Sequence, residues 1–177
     1  MTVQIARAGI ADLTELAAVA AATFPLACPP SAPAADVAAF IADNFTEAHF
    51  AGHLADPDRA VFIAHDHTRI LGYAMLIAGE PANPDAQRAV SLRPAIELSK
   101  MYVLPQAHGS GAADALMTAA VQYAADRGAQ CMWLGVNQEN QRAQRFYAKH
   151  GYTVAGTKTF ALGGRIEQDH VLVRLLP

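Results

Sequence analysis

Charge is scarce in this chain. Lys and Arg total 13 among 177 residues, Asp and Glu total 16, and the formal net charge is −3. No stripe of basic residues occurs, which argues against a nucleic-acid surface, because phosphate recognition shows itself as clustered Lys and Arg. Cysteine is nearly absent. Cys28 and Cys131 have no metal-ligand spacing and read as free thiols of a reducing cytosol rather than as a disulfide. No further ligands are spaced around the His65, Asp66, His67 stretch, so it reads as a surface turn and no metal is expected. No uninterrupted apolar run approaches the ~20 residues that a membrane span needs, and no secretory segment opens the chain. A soluble, cytoplasmic protein without nucleic-acid or membrane partners is the expectation.

What is abundant is apolar material, at 53% of residues. That is enough for a full core and too much for disorder. The length suits one domain, and neither linker nor repeat interrupts the chain, so a single domain over 1–177 is expected. Residues 2–6 alternate like an edge strand. Residues 11–24 have helical spacing, with Leu13, Leu16, Ala17 and Ala20 on one face. A proline-rich loop over 25–35 closes on Asp36 as an N-cap. Short helices follow over 36–45 and 46–56, the second started by Thr46 and stopped at Asp56 and Pro57.

The period then changes. Apolar strands over 60–66 and 70–79 read as a hairpin, 81–94 as a loop, and 95–105 as a third long strand. A helix over 110–128 ends on Gly128, a strand spans 131–136, and a helix over 139–151 ends on Gly151. Segments 152–162 and 169–176 close the chain as a hairpin. This order predicts an α/β fold of the α+β kind: a mixed, mostly antiparallel seven-stranded sheet flanked by helices. The central strand, glycine turn, helix, strand unit should be a right-handed parallel crossover.

That glycine turn holds Gly109 and Gly111 with no Lys or Arg among them. A P-loop fails for want of a lysine after Gly111, and a dinucleotide fingerprint fails because its third glycine would fall on Asp114. Glycines at a helix start still let backbone N–H groups converge on an anion, where the helix adds about half a positive charge. An ordinary tight turn explains them equally well. Downstream, Asn140, Ala143 and Tyr147 share one helical face and Phe146 turns toward the core. A capped amphipathic helix would explain that alone.

Together the two segments resemble the GCN5-related N-acetyltransferase (GNAT) superfamily. His108 to Ala113 falls where that family's loop reads [QR]-x-x-G-x-[GA], with Gly111 and Ala113 matching and His108 replacing the usual Gln or Arg. The later N-x-x-A-x-x-F-Y-x-K-x-G-[FY] pattern is met at Asn140, Ala143, Phe146, Tyr147, Lys149, Gly151 and Tyr152. The resemblance covers roughly residues 60–155. A narrower likeness, to PaiA-type polyamine acetyltransferases, rests on Phe160, Leu162, Gly163 and Asp169. Here Glu167 stands where that group has glutamine, and Leu172 where it has methionine.

The resemblance implies acetyl transfer from acetyl-CoA, as cosubstrate, to a primary amine of a small molecule, polyamine-like in the narrower case. It places pantetheine along Met101, Tyr102 and Val103. Its pyrophosphate goes on the segment His108, Gly109, Ser110, Gly111, Ala112, Ala113 and Asp114, and the Asn140 side chain is a further contact. Arg142, Arg145 and Lys149 either reach the 3′-phosphate or form a solvated helix face. Tyr147 is implied as general acid. Glu97 is implied as general base or as a holder of the cationic amine, with Ser99 on its face by period two. Two other readings stay open: a non-catalytic acyl-CoA-binding sensor, and an acyltransferase acting on a protein or peptide amine. A homodimer through the sheet edges is also expected.

Overall fold

The computed structural model describes residues 2–177. Its strands are β1 (Gln4–Arg7), β2 (Arg59–His65), β3 (Ile70–Ala78), β4 (Ala95–Val103), β5 (Cys131–Asn137), β6 (Thr153–Leu162) and β7 (Arg165–Leu175). They form one sheet in the order β1-β2-β3-β4-β5-β7-β6. Every neighbouring pair is antiparallel except β4 with β5, which is parallel. The mixed, mostly antiparallel seven-stranded sheet flanked by helices is therefore as expected, and so is the parallel pair across the glycine turn.

Strand β3 is an almost continuous apolar run because both of its faces are covered. On one face lies α5 (Ala112–Asp126), which buries Ala112, Leu116, Ala120 and Ala124 at a spacing of four. Those alanines let the helix axis approach the sheet closely. On the other face lie α1 (Leu13–Ala27) and α3 (Glu47–Ala55), which pack Leu16, Ala20, Phe24 and Phe50 against Val61, Ile63, Tyr73 and Met75. The helix α2 (Ala34–Asn44) joins that second layer through Val37, and α6 (Gln141–Lys149) follows β5.

Beyond shifts of one or two residues at element ends, four differences from the sequence reading stand out. Helix α1 runs past Phe24 through Pro25 to Ala27, so the proline-rich loop is shorter. Pro25 sits in the last turn, where few backbone bonds follow it. Helix α2 starts at Ala34 with Pro33 at its N-cap, which puts Asp36 inside the first turn rather than at the cap. A short helix, α4 (Pro84–Ala89), interrupts the 81–94 loop, begun by the Asn83 side chain accepting from the amides of Asp85 and Ala86. Strand β7 begins at Arg165, before Asp169, because β6 supplies partners down to the Gly163–Gly164 turn. The stretch Ile10–Ala27 is long and apolar enough, by composition, to cross a membrane. It lies against the sheet, with Leu16 and Ala20 fully buried.

Candidate active site

Strands β4 and β5 pair only from Ala95 with Cys131 to Glu97 with Trp133. Beyond that point β4 keeps its ladder with β3 to Val103, and β5 keeps its ladder with β7 to Asn137. The two strands part. A bulge accompanies the parting: Met75 pairs with Lys100 while Leu76 pairs with Leu98, so Ser99 is an extra residue in β4. Such a residue bends its strand and increases the local twist. The facing edges of Ser99–Val103 and Leu134–Asn137 are left without a mutual ladder. A cavity of about 400 Å³ opens along them.

The bulge also resets which side chains share a face. Ile77, Met75 and Tyr73 alternate along β3, and their partners on β4 are Glu97, Lys100 and Tyr102. Cross-strand partners project to the same side. Glu97 therefore sits beside Lys100 and Tyr102, and the expected period-two relation between Glu97 and Ser99 is broken by the extra residue. Burial pushes the Glu97 carboxyl above its ordinary range, against the pull of Lys100, Lys158 and Arg59. Burial lowers the Lys100 ammonium, against the pull of Glu97.

At one end of the gap stands the N-terminus of α5. Gly111 is its N-cap in the left-handed region, at φ +87°. The Ser110 amide donates to the Ala107 carbonyl at 3.1 Å, and the Ala112 amide to Ser110 Oγ at 3.3 Å. The amides of Gly109, Gly111, Ala113 and Asp114 have no acceptor among the described residues. His108 Nε2 lies 3.1 Å from the Val103 carbonyl oxygen. A carbonyl only accepts, so that nitrogen carries the proton. The Asp114 carboxylate accepts from Lys149 Nζ at 3.0 Å and from His150 Nε2 at 2.7 Å, which ties the start of α5 to the end of α6. Those hydrogen bonds hold its carboxyl below the usual range.

Helix α6 forms the adjoining wall. Asn140 caps it, its side-chain oxygen accepting from the Ala143 amide at 3.2 Å. That engages Oδ1 and leaves the Nδ2 donor for other work. Asn140, Ala143 and Tyr147 line the cavity, as helical spacing predicts, and Phe146, expected to turn toward the core, is only partly buried there and lines the cavity too. The Tyr147 ring is braced by Phe146 at 5.5 Å and Tyr152 at 5.6 Å between centroids. Burial pushes its hydroxyl up to about 12.

The structure thus brings Glu97, Met101, Tyr102, Val103, His108, Ala113, Asn140 and Tyr147 onto one cavity. Gly109, Ser110, Gly111 and Ala112 lie in the chain between two of its lining residues, and Asp114 follows directly. Arg142 also lines it, whereas Arg145 does not and Lys149 is paired with Asp114. The far end was not assembled by sequence reasoning. It consists of Phe24, Phe40 and Phe45 from α1, α2 and the residue after α2, with Lys158, Phe160, Glu167 and Asp169 from the closing hairpin. Lys158 Nζ is 3.2 Å from Asp169 Oδ2, both side chains largely buried. The only signal for these residues was the short closing motif around Phe160, Glu167 and Asp169, because their meeting depends on contacts more than a hundred residues apart in the chain. The carboxylates Asp43, Glu47 and Glu80 do not line the cavity.

The chain matches the acetyltransferase (GNAT) family over residues 22–152. An uncharacterized N-acetyltransferase of Mycobacterium tuberculosis is 52% identical over 165 residues, spanning 93% of this chain and 98% of that protein. The crystal structure of PaiA N-acetyltransferase from Thermoplasma acidophilum, in complex with coenzyme A, superposes with a TM-score of 0.78 at 17% identity, over 99% of both chains. The ribosomal-protein-S18-alanine N-acetyltransferase of Escherichia coli superposes with a TM-score of 0.69 at 15% identity, over 99% of this chain and 94% of that one. Identities this low establish a shared fold. The matched segment contains the parted strands, the glycine-led helix and Tyr147, and on that match the chain belongs to the acetyltransferase (GNAT) family and is an acetyl-CoA-dependent N-acetyltransferase.

Proposed function

We propose that the acceptor is the primary amine of a small molecule, held at the aromatic end of the cavity while the thioester enters along the parted strands. The observation that carries this reading is the end of the β4–β5 ladder at Glu97 and Trp133. An amide-containing arm such as pantetheine pairs with exposed strand edges as an added strand would, and Met101, Tyr102 and Val103 offer that edge. The unpartnered amides of Gly109, Gly111, Ala113 and Asp114 receive the diphosphate at the positive end of α5. Ser110 contributes its hydroxyl's hold on Ala112, and His108 fixes the end of β4. Asn140 Nδ2 donates to the arm.

The chemistry needs no protein nucleophile. The neutral amine nitrogen attacks the thioester carbonyl, the C–N bond forms, and the C–S bond breaks as the tetrahedral intermediate collapses. Glu97 has first taken the ammonium's proton, directly or through water, to free that nitrogen for attack; the nitrogen's second proton leaves on collapse and replaces the one that Tyr147 gives to the departing thiolate. A raised Glu97 pKa suits a base that must take a proton from an alkylammonium, whose ordinary pKa is near ~10. A Tyr147 hydroxyl near 12 stays protonated at neutral pH and so remains a donor.

The phenylalanine-walled far end favours a small acceptor with an apolar body over a folded protein tail, and a polyamine-like molecule is one such acceptor. A thiol-release assay with acetyl-CoA, run across small amines and peptides with free N-termini, tests this. Turnover of small amines is expected. Turnover confined to the peptides would overturn the acceptor class while leaving the transferase intact.

A further inference from the structure

Two lysines enter the cavity from the sheet, Lys100 from β4 and Lys158 from β6. Lys158 is matched, its Nζ 3.2 Å from Asp169 Oδ2. Lys100 is not. Its ammonium makes no ion pair and no hydrogen bond among the described residues, and the one carboxylate whose pull it feels, Glu97, is outside ion-pair reach. Arg59 adds further positive charge to this neighbourhood and is itself committed to Asp56 at 3.2 Å. What holds the ammonium is a ring: Nζ lies 5.2 Å from the centroid of Phe45, which also lines the cavity. A ring face leaves the three N–H donors of an ammonium open to an acceptor. Lys100 has thus lost part of its hydration without gaining a counter-charge, a costly state that a ligand's carboxylate would relieve. Burial lowers the ammonium's pKa, and an arriving anion would favour the charged form again.

The strand register says what else such a ligand carries. Because Ser99 is the extra residue of the bulge, Lys100 takes the same-face position next to Glu97. One carboxylate and one ammonium therefore stand side by side on the cavity wall, each the counter-charge of one end of a zwitterion. Aromatic rings surround them. Phe24 stacks on Phe40 with centroids 4.8 Å apart and meets Phe45 at 5.1 Å. That wall takes an apolar body.

We infer that Lys100 determines acceptor specificity by receiving the acceptor's own carboxylate, which makes the substrate an amino acid with an apolar side chain. The inference rests on the small-molecule acceptor reading and narrows it to zwitterions. The reacting nitrogen sits at Glu97 and Tyr147, the carboxylate on Lys100, and the side chain against Phe24, Phe40 and Phe45. A second ammonium in the carboxylate's place would meet Lys100 and be repelled, which sets polyamines behind amino acids.

Two matched pairs of acceptors test it: L-phenylalanine against 2-phenylethylamine, and L-leucine against 3-methylbutylamine. The members of each pair differ in one carboxylate. The wild-type enzyme should favour the amino acid of a pair in KM by roughly ten- to hundredfold, the worth of one charge-assisted hydrogen bond. Lys100→Met, which keeps an apolar chain against Phe45 and removes the charge, should bring each pair near parity by raising KM for the amino acid, with the simple amine little changed. A Lys100 that serves only to keep Glu97 ionised would instead shift the acid limb of both members and leave the preference intact. Equal KM values in the wild type, or a preference that survives Lys100→Met, would overturn the inference yet leave the small-molecule reading standing. If no member of either pair is acetylated, the inference falls, and the panel of small amines and peptides alone decides the small-molecule reading. The wild-type comparison decides the matter even if the variant does not fold.

Discussion

Lys158 lies across Gly135. A Cβ placed on Gly135 would stand closer to Cε of Lys158 than carbon atoms approach, and the same lysine's Nζ is 3.2 Å from Asp169 Oδ2. The bare backbone of β5 is what lets a side chain from β6 reach the cavity over the intervening β7. Gly135→Ala should therefore displace the flexible end of Lys158 rather than the backbone. The expected result is a stability loss of only about 1 kcal/mol in urea melts, together with a fall on the order of tenfold in kcat/KM for the amine. A large loss of stability with unchanged kinetics would show that Lys158 matters for packing alone.

Tyr147→Phe should lower kcat by roughly a hundredfold, the usual worth of a positioned acid. Acetyl-CoA binding, measured by calorimetry, should be retained, because the strand edges and helix amides are untouched. The wild-type alkaline limb should lie near 12, where burial has placed this hydroxyl, rather than at the ~10 of an exposed tyrosine.

The acid limb of kcat/KM should report Glu97. The carboxyl accepts a proton only when ionised, and burial raises its pKa. Activity should therefore appear, as pH rises, above the ordinary carboxylate range, and it should be lost below that point as Glu97 protonates. Glu97→Gln should remove this limb and lower kcat by about a hundredfold. An unshifted limb in that variant would assign the titration to another group.

Gly111→Ala tests the anion site. The φ of +87° costs an L-residue about 1–2 kcal/mol, and no atom within 4 Å would contact the new methyl group. The penalty is thus conformational, and relaxing it turns the amides at the start of α5 away from a common point. Acetyl-CoA affinity should fall by about tenfold with little change in kcat at saturation. Unaltered affinity would place the diphosphate elsewhere.

Much of this was legible in the sequence because it is local. Alternation and helical spacing located every strand and most helices, and Asn140, Ala143 and Tyr147 had to share a face once α6 was recognised. The short helix α4 was missed because six residues carry too little periodicity, and α1 was cut short because Pro25 signals a stop that a last helical turn can tolerate. The relation of Glu97 to Ser99 failed for another reason: the bulge is defined by the register against β3, which the sequence of β4 does not contain.

The sequence by itself determined the order of elements, the glycine turn at the start of a helix and the tyrosine on the following one, since each depends on the spacing of near neighbours. Tertiary structure alone decided where β4 and β5 part and that Lys100, not Ser99, would stand beside Glu97. It also decided that phenylalanines from the first helices would face the closing hairpin. Those facts arise from strand register and from packing between residues far apart in the chain, where closure of the sheet, not local preference, fixes the geometry.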